Sequence, residues 1–272
     1  MVLRGVGKRY QRRGPPVLRD VELSVPAGAL LYVQGDNGCG KSTLLRILAG
    51  VTRPTRGRVD GLPARVGYVP ERFPPGLRFT AGQYLAHLGR IRGLPGHMVT
   101  ARSGELLDLL GAQGIADTPM SELSKGTCQK VAVVQALLAE PALLILDEAF
   151  TGLDRQAQAA LVQQVGVSRA AGTAVVFTDH GGRGRALAPD ASLLLVAGAL
   201  QSAAAAPQHR LAMLVVLAGR VDGFDAACRR GVRHVELTAA GMRLQVDPAS
   251  CDAVLRAALE AGLSVQRVEP AG

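Results

Sequence analysis

Tryptophan is absent from this 272-residue chain, and all aromatic residues together make up 3% of it. A platform on which successive nucleobases stack needs several exposed rings, so the composition argues against base stacking as the main activity. Lysine is nearly as scarce: Lys8, Lys41, Lys125 and Lys130 stand alone among 31 basic residues, and arginine carries the net charge of +9. Such a surface attracts polyanions, whether nucleic acid or an anionic bilayer, and a generally arginine-rich composition with no partner accounts for it equally well. Cys39, Cys128, Cys228 and Cys251 show no metal-type spacing, and strand-like sequence follows Met1 directly. A reducing, cytoplasmic setting is therefore expected. Long apolar runs are missing as well. The most lipid-like stretch, 191–209, mixes Ser, Gln and Pro with small alanines, too polar a set for a spanning helix.

What remains is a composition 48% hydrophobic and 19% charged, enough for one large α/β domain and a small appendix. Residues 21–25 alternate as an edge strand should, and 30–33 run apolar into a glycine-rich loop. Residues 142–146 and 173–177 are continuous apolar runs of the kind buried in parallel sheets, whereas 106–110 belong to an amphipathic helix. From about 74 to 139 the pattern is mainly helical, broken by Gly93-Leu94-Pro95-Gly96 and by 111–114, which predicts a helical insertion in a strand–helix core.

The loop Gly35-Asp36-Asn37-Gly38-Cys39-Gly40-Lys41-Ser42-Thr43 fits GxxxxGK[ST] between a strand and a helix, the context that defines a phosphate-binding P-loop. Glycines let backbone N–H groups turn around phosphate oxygens, Lys41 meets the β/γ charge, and the Ser42 hydroxyl is placed for Mg²⁺. Residues 143–146 then form an apolar strand ending in Asp147 and Glu148, expected to lie beside the P-loop strand. Alternation sends neighbouring side chains to opposite faces. The pair therefore divides into Asp147 for Mg²⁺ and Glu148 to polarise a water attacking ATP.

Together with these motifs, Leu123-Ser124-Lys125-Gly126-Thr127 stands some twenty residues before the second strand, Thr151-Gly152-Leu153-Asp154 follows it, and Phe177-Thr178-Asp179-His180 ends the next. In this order they resemble the ATP-binding cassette (ABC) family over about residues 1–205. The resemblance implies a P-loop NTPase core of the ABC type with a helical insertion subdomain. It implies that Ser124 and Gly126 serve ATP held by a partner subunit, that Asp154 lies in the family's D-loop and is a nucleotide-binding residue, that His180 contacts the γ-phosphate, and that Tyr10 stacks on adenine. Ser124 also reads locally as a helix N-cap. Glu71 stands where the family commonly has a metal-contacting glutamine, and Lys125, Thr127 and Ala149 also depart from the usual pattern.

Residues 206–272 carry no motif and read as a small α+β module: strand at 242–246, helix from Asp247-Pro248 to Gly262, strand at 263–268. The resemblance further implies ATP and Mg²⁺ as cofactors and a second cassette, identical or paralogous, completing each site. An integral membrane subunit would be the driven partner, with this chain peripheral on the inner face of the membrane. The tail and Glu71 point to export. The alternative is a non-transport ABC ATPase acting on nucleic acid or ribosomes, but no specific nucleic acid is expected.

Overall fold

The computed structural model describes residues 1–11, 13–73, 77–202, 213–218, 232–238, 241–246 and 248–270. The chain divides into two compact units, Met1–Ala203 and Ala204–Gly272. The sequence-expected boundary at 205–206 and the start of the helical insertion at Pro74 lie outside the described residues.

The first unit is built on a six-stranded sheet of order β5-β6-β7-β3-β8-β9, with β3 Leu30–Gln34, β5 Val66–Val69, β6 Leu143–Asp147, β7 Ala174–Thr178, β8 Ala191–Val196 and β9 Ala199–Ser202. All pairings are parallel except the closing β8–β9 hairpin. Both β6 and β7 are buried along their whole length. Their apolar runs have a simple cause, because alternate residues serve two cores. Leu144, Leu146, Val175 and Phe177 join one cluster with α4 (Lys125–Leu137) and α5 (Arg155–Ala170). Leu143, Ile145, Ala174 and Val176 join the other with α1 (Lys41–Leu48). Each fully buried Leu, Ile or Val contributes roughly 1.5–3 kcal/mol, so a strand serving two cores tolerates polar residues only at its ends.

A separate three-stranded antiparallel sheet, β2-β1-β4, uses β1 Val2–Lys8, β2 Leu18–Ser24 and β4 Arg56–Asp60. Its edge strand β2 alternates buried and exposed residues from Val21 to Ser24, after Arg19 and Asp20 are both exposed, and Leu3, Val6, Leu18 and Val21 pack into the cluster holding Leu44, Leu45, Ile47 and Leu48 of α1. The helical segment comprises α2 Ala81–Ile91, α3 Gly96–Leu109 and α4. Thr80 and Gln83 form a reciprocal capping box at the start of α2.

The second unit has a four-stranded antiparallel sheet of order β11-β12-β10-β13, with β10 Met213–Ala218, β11 Val232–Thr238, β12 Gly241–Val246 and β13 Ser264–Pro270. Helix α6 (Pro248–Glu260) joins β12 to β13, which flank β10 rather than each other. Val215, Leu217, Met242, Leu244 and Val246 form its core with Cys251, Val254 and Ala258. Strands β10 and β11 add to the three elements legible in the sequence.

Candidate nucleotide site

Parallel strands deliver their C-terminal ends to one edge of the sheet, and four of them carry the residues singled out above. The loop Gly35–Gly40 leaves β3, Glu71 follows β5, Asp147 and Glu148 end β6, and Thr178, Asp179 and His180 end β7. This is where ligands bind in open parallel sheets, because the loops at this edge converge.

Glycine at position 40 is a structural requirement. Its φ of 112° lies in the left-handed region, and a Cβ there would stand 2.9 Å from the carbonyl oxygen of Val17. With no side chain capping the N-terminus of α1, the first-turn N–H groups are left for a ligand. The Lys41 ammonium is almost buried and donates to the carbonyls of Gly35 (2.6 Å) and Asp36 (2.9 Å), so it folds back over its own loop. Asp36, Asn37 and Gly38 form the turn at the tip, and Cys39 is partly buried against the core that includes α1.

The sequence placed the Asp147 strand beside the P-loop strand; the structure corrects this, since β7 lies between β6 and β3. Thr178 at the end of β7 bridges the gap. Fully buried, it donates its hydroxyl to Asp147 Oδ1 (3.1 Å) and accepts the Glu148 backbone N–H (3.0 Å). The Ser42 hydroxyl donates to the same Asp147 oxygen from the other side, at 3.3 Å. Burial pushes the Asp147 carboxyl above the ordinary aspartate range, the two hydroxyl donors pull it back, and Glu71 adds to the upward push.

Glu148 takes a positive φ of 53°, a costly conformation for a residue with a Cβ, and its surroundings fix it there. Its Oε2 accepts the His180 backbone N–H (3.1 Å) and lies 3.5 Å from the Thr151 hydroxyl. His180 Nε2 stands 3.6 Å from Oε1. Burial raises the Glu148 pKa above the ordinary glutamate value, and the contacts from His180 oppose it. Glu148 Oε1 and Asp147 Oδ2 are buried without a hydrogen-bond partner. Such orphaned oxygens are costly unless a ligand satisfies them.

Tyr10 is 58% exposed, and its hydroxyl lies 3.3 Å from Thr43 Oγ1 on α1. Lys8 Nζ sits 5.3 Å from the ring centroid. Glu71 is half-exposed, 3.8 Å from Arg72. The pairing of Val69 with Leu146 brings Glu71 out of the sheet level with Glu148.

Ser124, Gly126 and Asp154 gather elsewhere. Ser124 caps α4 by accepting the Thr127 N–H (3.1 Å), and Asp154 caps α5 by accepting the Ala157 N–H (2.9 Å). A Cβ on Gly126 would stand 2.6 Å from the Gly152 carbonyl oxygen, so only glycine lets these two turns touch. Lys130, nearly buried, pairs with Asp154 at 2.6 Å and donates to the Gly111 carbonyl. Lys130 and the Ala157 N–H hold the Asp154 carboxyl below the usual range. Among the described residues no hydrogen bond joins this group to the phosphate loop. Thr178 and Lys130 escaped the sequence reading, although Thr178 lies directly before Asp179-His180.

The residues fit Mg·ATP. The uncapped α1 N-terminus and the Lys41 ammonium suit phosphate oxygens, and the hydroxyl and carboxylate oxygens of Ser42 and Asp147, joined at 3.3 Å, are the hard donors Mg²⁺ prefers. Comparison with known proteins agrees. A family model described as "ABC transporter" matches residues 18–151. The zinc import ATP-binding protein ZnuC of Halorhodospira halophila is 37% identical over 171 residues, 61% of this chain and 63% of that protein. ZnuC of Cereibacter sphaeroides is 38% identical over 174 residues, 62% of this chain and 69% of its own length. A solved structure of an ATP-binding subunit of an ABC transporter is similar with a TM-score of 0.66 and 27% identity, over 74% of this chain and 89% of that one. Both relatives are named as import proteins, so the similarity lends no support to the export direction expected from the tail and Glu71. The shared motifs, fold and similarity lead to one conclusion: the chain belongs to the ABC transporter family, as an ATP-binding cassette of a family of ATPases.

Proposed function

We propose that the chain binds ATP at Gly35–Thr43 and hydrolyses it with Glu148, driving import through a separate membrane-spanning partner on whose inner face it sits. Glu148 Oε1, buried without a hydrogen bond and 3.6 Å from His180 Nε2, carries this reading. A carboxylate in that state is desolvated and available, with a raised pKa that makes it a better proton acceptor than an exposed glutamate. Glu148 orients and deprotonates the attacking water, and His180 holds the carboxylate and meets the γ-phosphate. Lys41 releases the two loop carbonyls to neutralise phosphate charge, and Tyr10 carries the adenine on its exposed ring. Ser42 and Asp147 would hold Mg²⁺, with Glu71 as a further oxygen at the rim. When bound, the ion supplies charge neutralisation at the phosphates.

Ser124 and Gly126, with Gly126 packed against the Gly152 carbonyl, form a surface offered to ATP on a second copy of the chain, so each site draws on two cassettes. That they lie apart from the phosphate loop supports this division. Among the described residues no helix is long and apolar enough to cross a membrane, which supports a separate spanning partner. Import rests on the two zinc-import relatives. The test is Glu148→Gln: turnover is expected to fall by about a hundredfold or more, while ATP binding persists. Turnover within about tenfold of the original chain would remove Glu148 from the role of base.

A further inference from the structure

The sheet β2-β1-β4 faces α1 on one side, and its solvent side holds a feature the nucleotide site does not use. There Gly5 and Gly7 of the central strand help floor a trough of about 330 Å³. Lys8, Arg9, Arg19 and Arg56 line it together with a single carboxylate, Asp20. Because neither glycine has a side chain, the space between the flanking strands stays open.

Three irregularities of register meet at this point. Strand β2 places Arg19 and Asp20 opposite Gly7 alone, between the Val6–Val21 and Lys8–Leu18 pairs. Strand β1 places Arg4 and Gly5 opposite Glu22 alone, and the pairing with β4 shifts between Arg4–Arg58 and Gly7–Arg56. Bulges bend strands and re-aim side chains, and here they concentrate cations. Asp20 is held at φ 46°, a sparsely populated conformation for a residue with a Cβ, while Gly57 takes a φ of 73° that glycine adopts without strain.

Among the described residues Lys8, Arg9, Arg19 and Arg56 make no ion pair, because the nearby carboxylates other than Asp20 are engaged elsewhere. Arg4 and Arg58 pair with Asp60, and Glu22 accepts the Gly5 N–H. Among the described residues Lys8 Nζ hydrogen-bonds the carbonyl of Arg53 and sits over the Tyr10 ring, and Arg9 Nη1 hydrogen-bonds the carbonyl of Gly14, so neither meets a carboxylate. Arg19 and Arg56 have neither a side-chain hydrogen bond nor an ion pair among the described residues. Two free guanidinium forks across a glycine floor suit the oxygens of a phosphate group.

We propose that this trough is a second anion site, separate from the phosphate loop, that takes a phosphate or pyrophosphate group. The probe is inorganic pyrophosphate, titrated calorimetrically into the full chain with its phosphate loop already filled by a non-hydrolysable Mg·ATP analogue. One further pyrophosphate per chain is expected at low salt, weakening as salt rises. Arg19→Ala combined with Arg56→Ala should reduce that affinity by about tenfold or more and leave analogue binding unchanged. Lys8 stays intact because it supports the Tyr10 ring.

Gly7→Leu keeps every charge but fills the floor. Its Cβ would meet Leu18 O and Arg56 Cβ at 3.5 and 3.6 Å, ordinary contacts, and it too should abolish the event. Sedimentation with vesicles containing phosphatidic acid separates the sources. Co-sedimentation that pyrophosphate competes away assigns a lipid headgroup, and pyrophosphate binding without sedimentation assigns a soluble phosphate. Absence of both, or binding that survives in a folded Gly7→Leu chain as diffuse surface charge would allow, overturns the proposal. Should Gly7→Leu not fold, pyrophosphate affinity unchanged in the double arginine variant overturns it equally.

Discussion

The phosphate-loop group and the signature group differ in how completely their polar atoms are satisfied. Around Lys41, Asp147 and Glu148 the protein leaves buried carboxylate oxygens unpartnered, keeps a glutamate at positive φ and ties an ammonium to its own loop. Around Ser124, Gly126 and Asp154 both helix caps are made, the carboxylate has its lysine, and two turns touch backbone to backbone. In the proposed reading the first group changes when a ligand arrives. The second is then a finished surface to be presented. Desolvation and strain are concentrated where chemistry is proposed, and rigidity where recognition is proposed.

Disturbing the finished surface should therefore cost turnover without costing nucleotide binding. The largest effect is expected from Gly126→Val, because its Cβ cannot coexist with the Gly152 carbonyl at 2.6 Å and one turn must move. A displacement of about an ångström in a positioning element costs on the order of a hundredfold in rate. ATP binding to the isolated chain should change by less than about twofold. An equal loss in binding would show that the two groups are one site within the chain.

Thr178→Val reaches the poised group through hydrogen bonds rather than charge. The substitution keeps the shape but removes the donor to Asp147 and the acceptor for the Glu148 N–H. A stability loss of about 2 kcal/mol is expected on chemical denaturation, since buried groups lose their partners. The Mg²⁺ concentration needed for half-maximal turnover should rise as well. An unchanged denaturation midpoint would mean that Thr178 fills space and orders neither carboxylate.

The smallest effect belongs to Lys130→Met. The lysine stem packs as methionine would, and Asp154 remains exposed enough to be solvated. The melting temperature should move by no more than about 4 °C, with the difference shrinking as salt is added. A larger, salt-independent drop would show that the Lys130 contact with the Gly111 carbonyl matters more than the ion pair.

These contrasts also mark what the sequence discloses. The P-loop is legible because a glycine pattern, a lysine and a flanking strand and helix occur within a few residues, and nothing distant is needed to place them. The apolar runs ending at Asp147 and Thr178 are legible as buried strands for the same local reason. Their order across the sheet is not. Periodicity reports which face a side chain occupies but not which strand lies next to it, so β7 between β6 and β3 went unforeseen, and with it the bridging Thr178. The Lys130–Asp154 pair joins two helices whose crossing no local pattern encodes. Likewise the bulges around Gly5 and Gly7 arise from register between strands distant in the chain. In the second unit, β12, α6 and β13 are announced by alternation and by the helix-start signal that Asp-Pro gives in the sequence at 247–248, whereas β10 and β11 appear only as a paired sheet.

The central claim is that two copies of the chain share each site, one giving the phosphate loop and the other the signature. It is tested most directly by mixing two inactive variants, Ser124→Arg, which blocks the signature, and Lys41→Ala, which disables the loop. Each alone should hydrolyse ATP at background rate, because every site in its own dimer is broken. A mixed dimer contains one site in which the intact loop of the first meets the intact signature of the second. Turnover should therefore reappear on mixing, rise with the fraction of mixed dimer and reach at most about half of the original activity per dimer. Ser124→Arg that remains active alone, or verified mixed dimers with no turnover above background, would contradict the shared site.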